Sequence, residues 1–125
     1  MEEDEISLSK SLYMSQIQIK EMISNGMHFG SHEKSHFWFL SLDKTEQEKE
    51  IISSINFLDS VYDKDHVLTI CYPYGDYNKN TLELLTKHKF KLGLTTVPKT
   101  YSLDDNILEI PHWDTNDYYP IKKNY

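Results

Sequence analysis

Three histidines lie four residues apart in a short glycine-containing stretch, GMHFGSHEKSH, at residues 26–36. In one continuous helix, His28, His32 and His36 would share a face, since residues four apart stack on the same side. The two glycines oppose that helix, because each interior glycine costs roughly 1 kcal/mol relative to alanine. A strand over 27–31 followed by a tight turn would instead aim His32 and His36 at one point. Two converging imidazoles can share a metal ion.

The length and charge of the chain restrict the classes of protein to which it can belong. Its 125 residues suffice for one domain but are few for a complete barrel enzyme, which typically needs about 200 or more. The chain has thirteen lysines, no arginine and twenty acidic residues, which give a net charge of −7. This charge argues against a nucleic-acid partner and against an anionic membrane surface. We therefore expect a neutral or cationic ligand.

The single cysteine and the first residues of the chain indicate the cellular compartment to be expected. Cys71 alone cannot form an internal disulfide or a CxxC metal site, and we expect it to be a small buried apolar group. The start MEEDEISLSK is acidic and contains no apolar run, so we expect neither a signal peptide nor a membrane span. As written, the sequence predicts a cytoplasmic chain.

Helix and strand patterns alternate along the sequence. Ser15, Asp43 and Asn78 are typical N-cap residues, and each precedes apolar residues at helical spacing. The expected helices are 15–25, 43–62 and 78–88, and the expected strands are 27–31, 67–71, 91–96 and 107–110. Such alternation predicts an α/β fold with parallel strands joined by right-handed crossovers.

Residues able to bind ligands or transfer protons follow the predicted strands. His32 and His36 come after the first strand, the YPYG loop at 72–75 after the second, Thr95 and Thr96 at the end of the third, and His112 after the fourth. Ligands of parallel α/β folds bind at the carboxyl ends of the strands. The sequence therefore predicts one site at that edge.

Two stretches carry a family resemblance. GSHEKSH at 30–36 and YPYGDYN at 72–78, in this order and at this separation, resemble the polysaccharide deacetylase family, whose members share a NodB-type catalytic domain. The resemblance extends over about residues 13–117. It implies a partial, distorted (β/α) barrel of parallel strands that lacks the first strand or strands.

The same resemblance implies a division of the chain into three parts. Residues 1–12 are expected to be a flexible acidic segment, 13–119 the C-terminal portion of a deacetylase-like domain, and 120–125 a tail.

The resemblance also implies an activity and a metal. Members of the family remove acetyl groups from N-acetylated sugars with a bound divalent metal, commonly zinc. By position, His32 and His36 match the two histidine ligands of that metal, and Tyr74 matches the tyrosine whose backbone N–H stabilises the oxyanion. The implied partner is an N-acetylated glycan, and the family often acts at the cell envelope.

Further residues correspond to the walls of the implied site. Pro73 and Gly75 match the loop that shapes the oxyanion site, and His112 stands where the family has a later histidine acting as general acid. Trp38 is a candidate for stacking on a sugar ring, although the aromatic run at 37–39 is equally compatible with a core position.

One family feature is missing from this sequence. In the family, the third metal ligand and the catalytic base are adjacent aspartates at the end of the first strand, and no such pair precedes His32 here. We therefore expect the chain alone to be incomplete or inactive, with the first strands supplied by a missing N-terminal segment or a partner chain. Two alternatives stay open: a degenerate relative that binds glycan or metal without catalysis, and a small α/β interaction domain.

Overall fold

The computed structural model describes residues 2–118, in which five α-helices accompany two short β-strands. The helices are α1 (Glu2–Leu12), α2 (Gln16–Ser24), α3 (Lys44–Val61), α4 (Lys79–Lys87) and α5 (Thr115–Tyr118). The strands are β1 (Thr69–Cys71) and β2 (Leu92–Leu94), and two 3₁₀ turns lie at Phe39–Ser41 and Pro73–Gly75. Among the helices of residues 2–118, none has both the length and the apolar character needed to span a bilayer.

Three helices begin at the predicted N-cap residues. Ser15, Asp43 and Asn78 precede α2, α3 and α4, and each heads a capping box. In each box the cap side chain accepts the backbone N–H of the third helical residue, and the side chain of that residue accepts the N–H of the cap. Two otherwise unsatisfied donors are thereby bonded at each helix start. The helix predictions at these three positions are confirmed.

The strand segments pair in parallel, as predicted. Strands β1 and β2 pair directly, with Ile70 opposite Gly93. Isolated parallel bridges extend the sheet on both sides, from Ser31 to Ile70 and from Leu94 to Ile110. The order across the sheet is therefore Ser31, β1, β2, Ile110, and all neighbours are parallel. This arrangement is the predicted partial α/β architecture.

The two outer strands are shorter than predicted, because other groups bond their backbones. The Tyr62 hydroxyl lies 2.7 Å from the Phe29 nitrogen, whose N–H it accepts, and 3.1 Å from the Phe29 carbonyl oxygen. The segment at 27–31 therefore pairs as a strand only at Ser31. On the other side, the Asn106 carbonyl accepts the N–H of Glu109 and turns that segment.

The start of the chain is helical. Residues 1–12 are the segment for which the sequence predicts flexibility, and α1 covers Glu2–Leu12. The sequence of α1 contains three glutamates and two leucines, which are good helix formers. Its Leu8 and Leu12 are exposed to solvent. The predicted tail at 120–125 lies outside the described residues.

A single apolar core fixes the sheet against the helices. Helices α3 and α4 pack on each other and contribute Ile51, Leu84 and Leu85, while β1 contributes Ile70. The remaining buried members of the core are Phe39, Tyr72, Phe90 and Leu108. Because Ile70 of β1 and the following Tyr72 both belong to this core, the loop after β1 starts from rigid support.

Candidate functional site

Backbone hydrogen bonds align the carboxyl ends of the strand segments. The Cys71 N–H donates to the Ser31 carbonyl at 2.9 Å, and the Thr95 N–H donates to the Ile110 carbonyl at 2.9 Å. Between these two bonds, the N–H of Tyr72 donates to the carbonyl of Leu94. The segments that carry the candidate residues therefore leave the sheet at one edge, as the sequence predicts.

The first and second candidate metal ligands lie side by side at this edge. The Nε2 atoms of His32 and His36 are 3.0 Å apart, and the rings meet edge to face with centroids 4.8 Å apart. Nδ1 of His32 lies 2.8 Å from the Cys71 carbonyl, to which it donates, so Nε2 is left as the electron-pair donor. Two ligands of a tetrahedral ion at about 2.0–2.1 Å are about 3.3 Å apart. The spacing of the pair fits a shared ion.

Tyr74 contacts the second histidine through its side chain. Its hydroxyl oxygen lies 3.2 Å from Nδ1 of His36, and the two rings meet edge to face at 4.7 Å. A hydrogen bond at Nδ1 leaves Nε2 of His36 to face His32. Both imidazoles thus have a partner on Nδ1 and present Nε2 to the same point.

No third ligand completes the pair among the side chains described at residues 7–115 and 117, where no group of three or more His, Cys, Asp or Glu side chains is arranged to hold a metal ion. The described residues therefore fit part of a zinc site, with two ligands out of the three or four that zinc uses.

The turn at Pro73–Gly75 has an unusual backbone. Tyr74 has φ 59° and ψ 9°, and Gly75 has φ 69°, so both lie in the left-handed region. The Gly75 N–H donates to the Tyr72 carbonyl at 2.9 Å, which closes the turn. A Cβ on Gly75 would also overlap the side chain of Thr96. Within residues 2–118 the Tyr74 N–H has no hydrogen-bond acceptor, so it can serve a ligand.

An aromatic pair stands beside this turn. The indole of Trp38 stacks on the ring of Tyr74, with centroids 4.6 Å apart and planes 13° from parallel. Both side chains are about half exposed, whereas Phe39 is fully buried in the core. The aromatic run at 37–39 thus divides, with Phe37 and Trp38 on the surface and only Phe39 inside.

His112 lies at the same edge but apart from the histidine pair. Its Nδ1 hydrogen-bonds to the carbonyl of Thr95, at the end of the neighbouring strand segment. Within the described residues, no contact joins His112 to His32, His36 or Tyr74. The structure therefore brings four of the predicted residues together, namely the two histidines, Tyr74 and Trp38, with the supporting turn. His112 is separate from this group and contacts the Thr95 carbonyl instead.

His28, the third histidine of residues 26–36, does not contact the other two. Nε2 of His28 lies 3.0 Å from the Thr69 hydroxyl, and its Nδ1 lies 3.3 Å from the Tyr62 hydroxyl. Those contacts are at the opposite end of β1 from His32. His28 is therefore separate from the His32–His36 pair and contacts Thr69 and Tyr62 instead.

The expectation that Cys71 is buried is wrong. Its neighbour Ile70 points into the core, and alternation along β1 places the Cys71 side chain on the exposed side. Nearby atoms nevertheless desolvate the thiol, and this raises the pKa of Cys71 above its ordinary value. A thiol with a raised pKa is a poor nucleophile at neutral pH.

Three carboxylates that the sequence analysis did not single out bond the loops of the site. They are Glu33, Glu50 and Asp76, and each accepts a backbone N–H from a loop residue. Burial raises the pKa of Glu33, and this effect exceeds the opposing one of the hydrogen bond from the Phe37 N–H. In the sequence, Glu33 is distinguished only by its position next to His32, and Asp76 only by its position next to Gly75. No sequence feature distinguishes Glu50.

Comparisons with known proteins agree on one family. The family model for polysaccharide deacetylase matches residues 8–93. Among curated proteins, YxkH of Bacillus subtilis (strain 168), provisionally named a polysaccharide deacetylase, is 29% identical over 101 residues. That alignment covers 81% of this chain and 36% of YxkH.

Two solved structures share the fold. The Streptococcus pyogenes deacetylase PplD, in complex with acetate, matches with a TM-score of 0.77 and 27% identity over 86% of this chain and 47% of PplD. IcaB from Ammonifex degensii matches with a TM-score of 0.69 over 85% of this chain and 50% of IcaB, and at 24% identity this likeness concerns the fold alone. The chain thus spans about a third to a half of these relatives. Because the family match covers more than half of its residues, the chain belongs to the polysaccharide deacetylase family.

Proposed function

We propose that this chain supplies the two-histidine and oxyanion part of a metal-dependent N-deacetylase acting on an N-acetylated amino-sugar polymer. One observation carries the proposal: Nε2 of His32 and Nε2 of His36 lie 3.0 Å apart, beside the left-handed turn at Pro73–Gly75. Membership of the family supports hydrolysis of acetyl groups. The acetate bound to the similar enzyme PplD supports acetate as the product of that hydrolysis.

The histidine pair would hold Zn²⁺ or another divalent metal. When bound, such an ion polarises an acetyl carbonyl and activates water for hydrolysis. The part played by the chain is to fix both imidazoles in direction, with the two Nε2 atoms facing each other. The Cys71 carbonyl does so for His32, and the Tyr74 hydroxyl does so for His36.

Tyr74 would act on the acetyl oxygen through its backbone. Its N–H has no acceptor in residues 2–118, and a donor aimed at a developing oxyanion is worth on the order of 3 kcal/mol in other acyl-transfer enzymes. Pro73 is buried and has a fixed φ, and a residue larger than glycine at position 75 would overlap Thr96. Pro73 and Gly75 therefore set the direction of the Tyr74 N–H.

We assign proposed roles to two further residues, Trp38 and His112. The exposed indole of Trp38, stacked on Tyr74, offers an apolar surface for one face of a sugar ring. His112 would be the general acid that protonates the leaving amine, and its exposed imidazole is oriented by the Thr95 carbonyl.

The proposal requires an acidic metal ligand and a base in addition to the histidine pair, and among the side chains that the structure describes no third metal-binding side chain joins that pair. Positioned proton transfer contributes typically 10²- to 10⁴-fold. We therefore infer that residues 1–125 alone do not deacetylate glycans, and that a further segment or partner chain would supply the missing carboxylates. The absence of a third ligand among the described residues also favours a second candidate, a relative that binds metal or glycan without catalysis.

The experiment is to incubate the purified, zinc-loaded chain with acetylated chito-oligosaccharide and to assay released acetate. We expect no turnover above background from the chain alone. Turnover should appear when a segment bearing paired aspartates is added, and His32→Ala should abolish it while the control His28→Ala retains it. Turnover by the chain alone would contradict the inferred incompleteness. A zinc-bound chain that stays inactive with the added segment would favour the binding relative.

A further inference from the structure

The loop between the two histidines has a backbone that other groups must hold in place. Glu33 has φ 63° and His36 has φ 57°, so two non-glycine residues in four lie in the left-handed region. Such residues are uncommon and persist where surrounding structure fixes them. Because His36 is itself one of the two, its ring position depends directly on whatever fixes this loop.

Glu33 bonds the far end of the loop. Its carboxylate oxygen Oε2 accepts the Phe37 N–H at 2.6 Å, so the side chain reaches across the residue that carries the second imidazole. Its own N–H donates to the Ser31 hydroxyl at 3.2 Å, and that hydroxyl donates to the Ser54 hydroxyl of α3 at 2.9 Å. Glu33 is therefore anchored to the sheet and to α3 at one end and to the loop at the other.

Glu50 bonds the middle of the loop from a helix. Its Oε2 accepts the Ser35 N–H at 3.0 Å, and its Oε1 accepts the Ser35 hydroxyl at 3.1 Å. The next residue on α3, Ile51, is buried in the core, so the carboxylate is presented from a rigid element. Both of its oxygens are occupied by the same loop residue.

We propose that Glu33 and Glu50 are positioning residues, whose carboxylates hold the 33–37 loop in the turn that brings Nε2 of His36 to Nε2 of His32. This inference rests on the proposed function, because the position of His36 matters for activity only if the histidine pair binds a metal. The loop conformation itself can be measured without metal. Loss of either carboxylate lets the loop leave the left-handed turn and moves His36 away. Removing groups that orient metal ligands typically lowers metal affinity 10- to 100-fold.

The first test is zinc titration by calorimetry on the full chain. Glu33→Ala and Glu50→Ala should each weaken zinc binding about 10-fold or more. Glu33→Gln should retain affinity close to wild type, because the amide oxygen can still accept the Phe37 N–H. The control is Glu83→Ala, which removes an equal charge from the exposed side of α4, away from the loop. Melting curves establish that each variant is folded.

The second test uses the metal-free protein, so that failure of the proposed function and failure of this inference give different results. Amide hydrogen exchange should become faster at Phe37 in Glu33→Ala and at Ser35 in Glu50→Ala, with no change at either amide in Glu83→Ala. A wild type that binds no zinc, with these exchange effects present, would overturn the metal site and leave the positioning role supported. Unchanged exchange together with unchanged zinc affinity would overturn the positioning role. An equal loss of affinity in Glu83→Ala would also overturn it.

Discussion

At the scale of single residues, left-handed backbone conformations gather on the two loops of the candidate site. Glu33, His36 and Tyr74 have φ values of 63°, 57° and 59°, and Gly75 follows with 69°. Of these four residues, only the glycine indicates a left-handed backbone from the sequence, because the other three residue types rarely adopt this conformation. The convergence of the histidines was predictable from their spacing, but the conformation that produces it depends on contacts from distant segments.

Gly75 allows a test of this local geometry. Gly75→Ala should destabilise the protein by about 1–3 kcal/mol, because alanine is strained at positive φ and its Cβ would overlap Thr96. The matched control is Gly26→Ala, at φ 89° with no atom within 4 Å of the added Cβ, which reports the backbone strain alone. Thermal unfolding should show a larger loss for Gly75→Ala. Equal losses would mean that the contact with Thr96 has no energetic role.

At the scale of elements, the starts of α2, α3 and α4 were predictable from local sequence, whereas the lengths of the strands were not. A capping box lies within four residues, so Asp43 and Glu46 suffice to locate the start of α3. The extent of a strand depends on which partner its backbone finds. The Tyr62 hydroxyl, 33 residues away, bonds Phe29 in place of a neighbouring strand, and no local pattern reveals that.

Ion pairs between α3 and α4 give these elements a predictable pH dependence. Glu48 accepts hydrogen bonds from Lys87 and His88, each at 2.7 Å. The bond from Lys87, and then that from His88, lower the pKa of Glu48 below its ordinary value of 4.5. A carboxyl whose pKa is lower in the folded state stabilises the fold above the unfolded pKa, and this contribution is lost as pH falls through the folded pKa.

Glu48→Gln should therefore lower the melting temperature at pH 7, and the difference from wild type should shrink at pH 3. Glu21→Gln, an exposed substitution on α2, serves as the control and should change little at either pH. Melting curves at the two pH values provide the measurement. A difference for Glu48→Gln that is the same at pH 7 and pH 3 would exclude a contribution from these ion pairs.

At the scale of the whole molecule, one side of the sheet has no neighbouring strand within residues 2–118. Ser31 pairs with Ile70 on one side only. Beside it, a cleft of about 540 Å³ opens between residues 29–34 and α3, with Phe57 and Leu58 in its wall. An unpaired edge next to apolar surface favours pairing with another chain. The length of the sequence and the family resemblance indicated this open architecture, but the cleft became evident only in the folded chain.

We expect the purified chain to self-associate through this edge. Sedimentation velocity should show larger species as the protein concentration rises. Phe57→Lys, in the wall of the cleft, should reduce association, whereas Leu103→Lys, at a residue 93% exposed elsewhere, makes the same charge change and should not. A compact monomer at every concentration would be incompatible with this expectation.

The most direct test of the proposed metal site is zinc binding by the histidine pair, measured by calorimetry on the full chain. Wild type should bind zinc weakly, because two protein ligands leave the tetrahedral site incomplete, and binding should weaken in acid as zinc competes with protons for the imidazoles. The double variant His32→Ala with His36→Ala should lose this binding, while His28→Ala should keep it. Identical zinc affinity in the wild type and the double variant would contradict the proposed metal site.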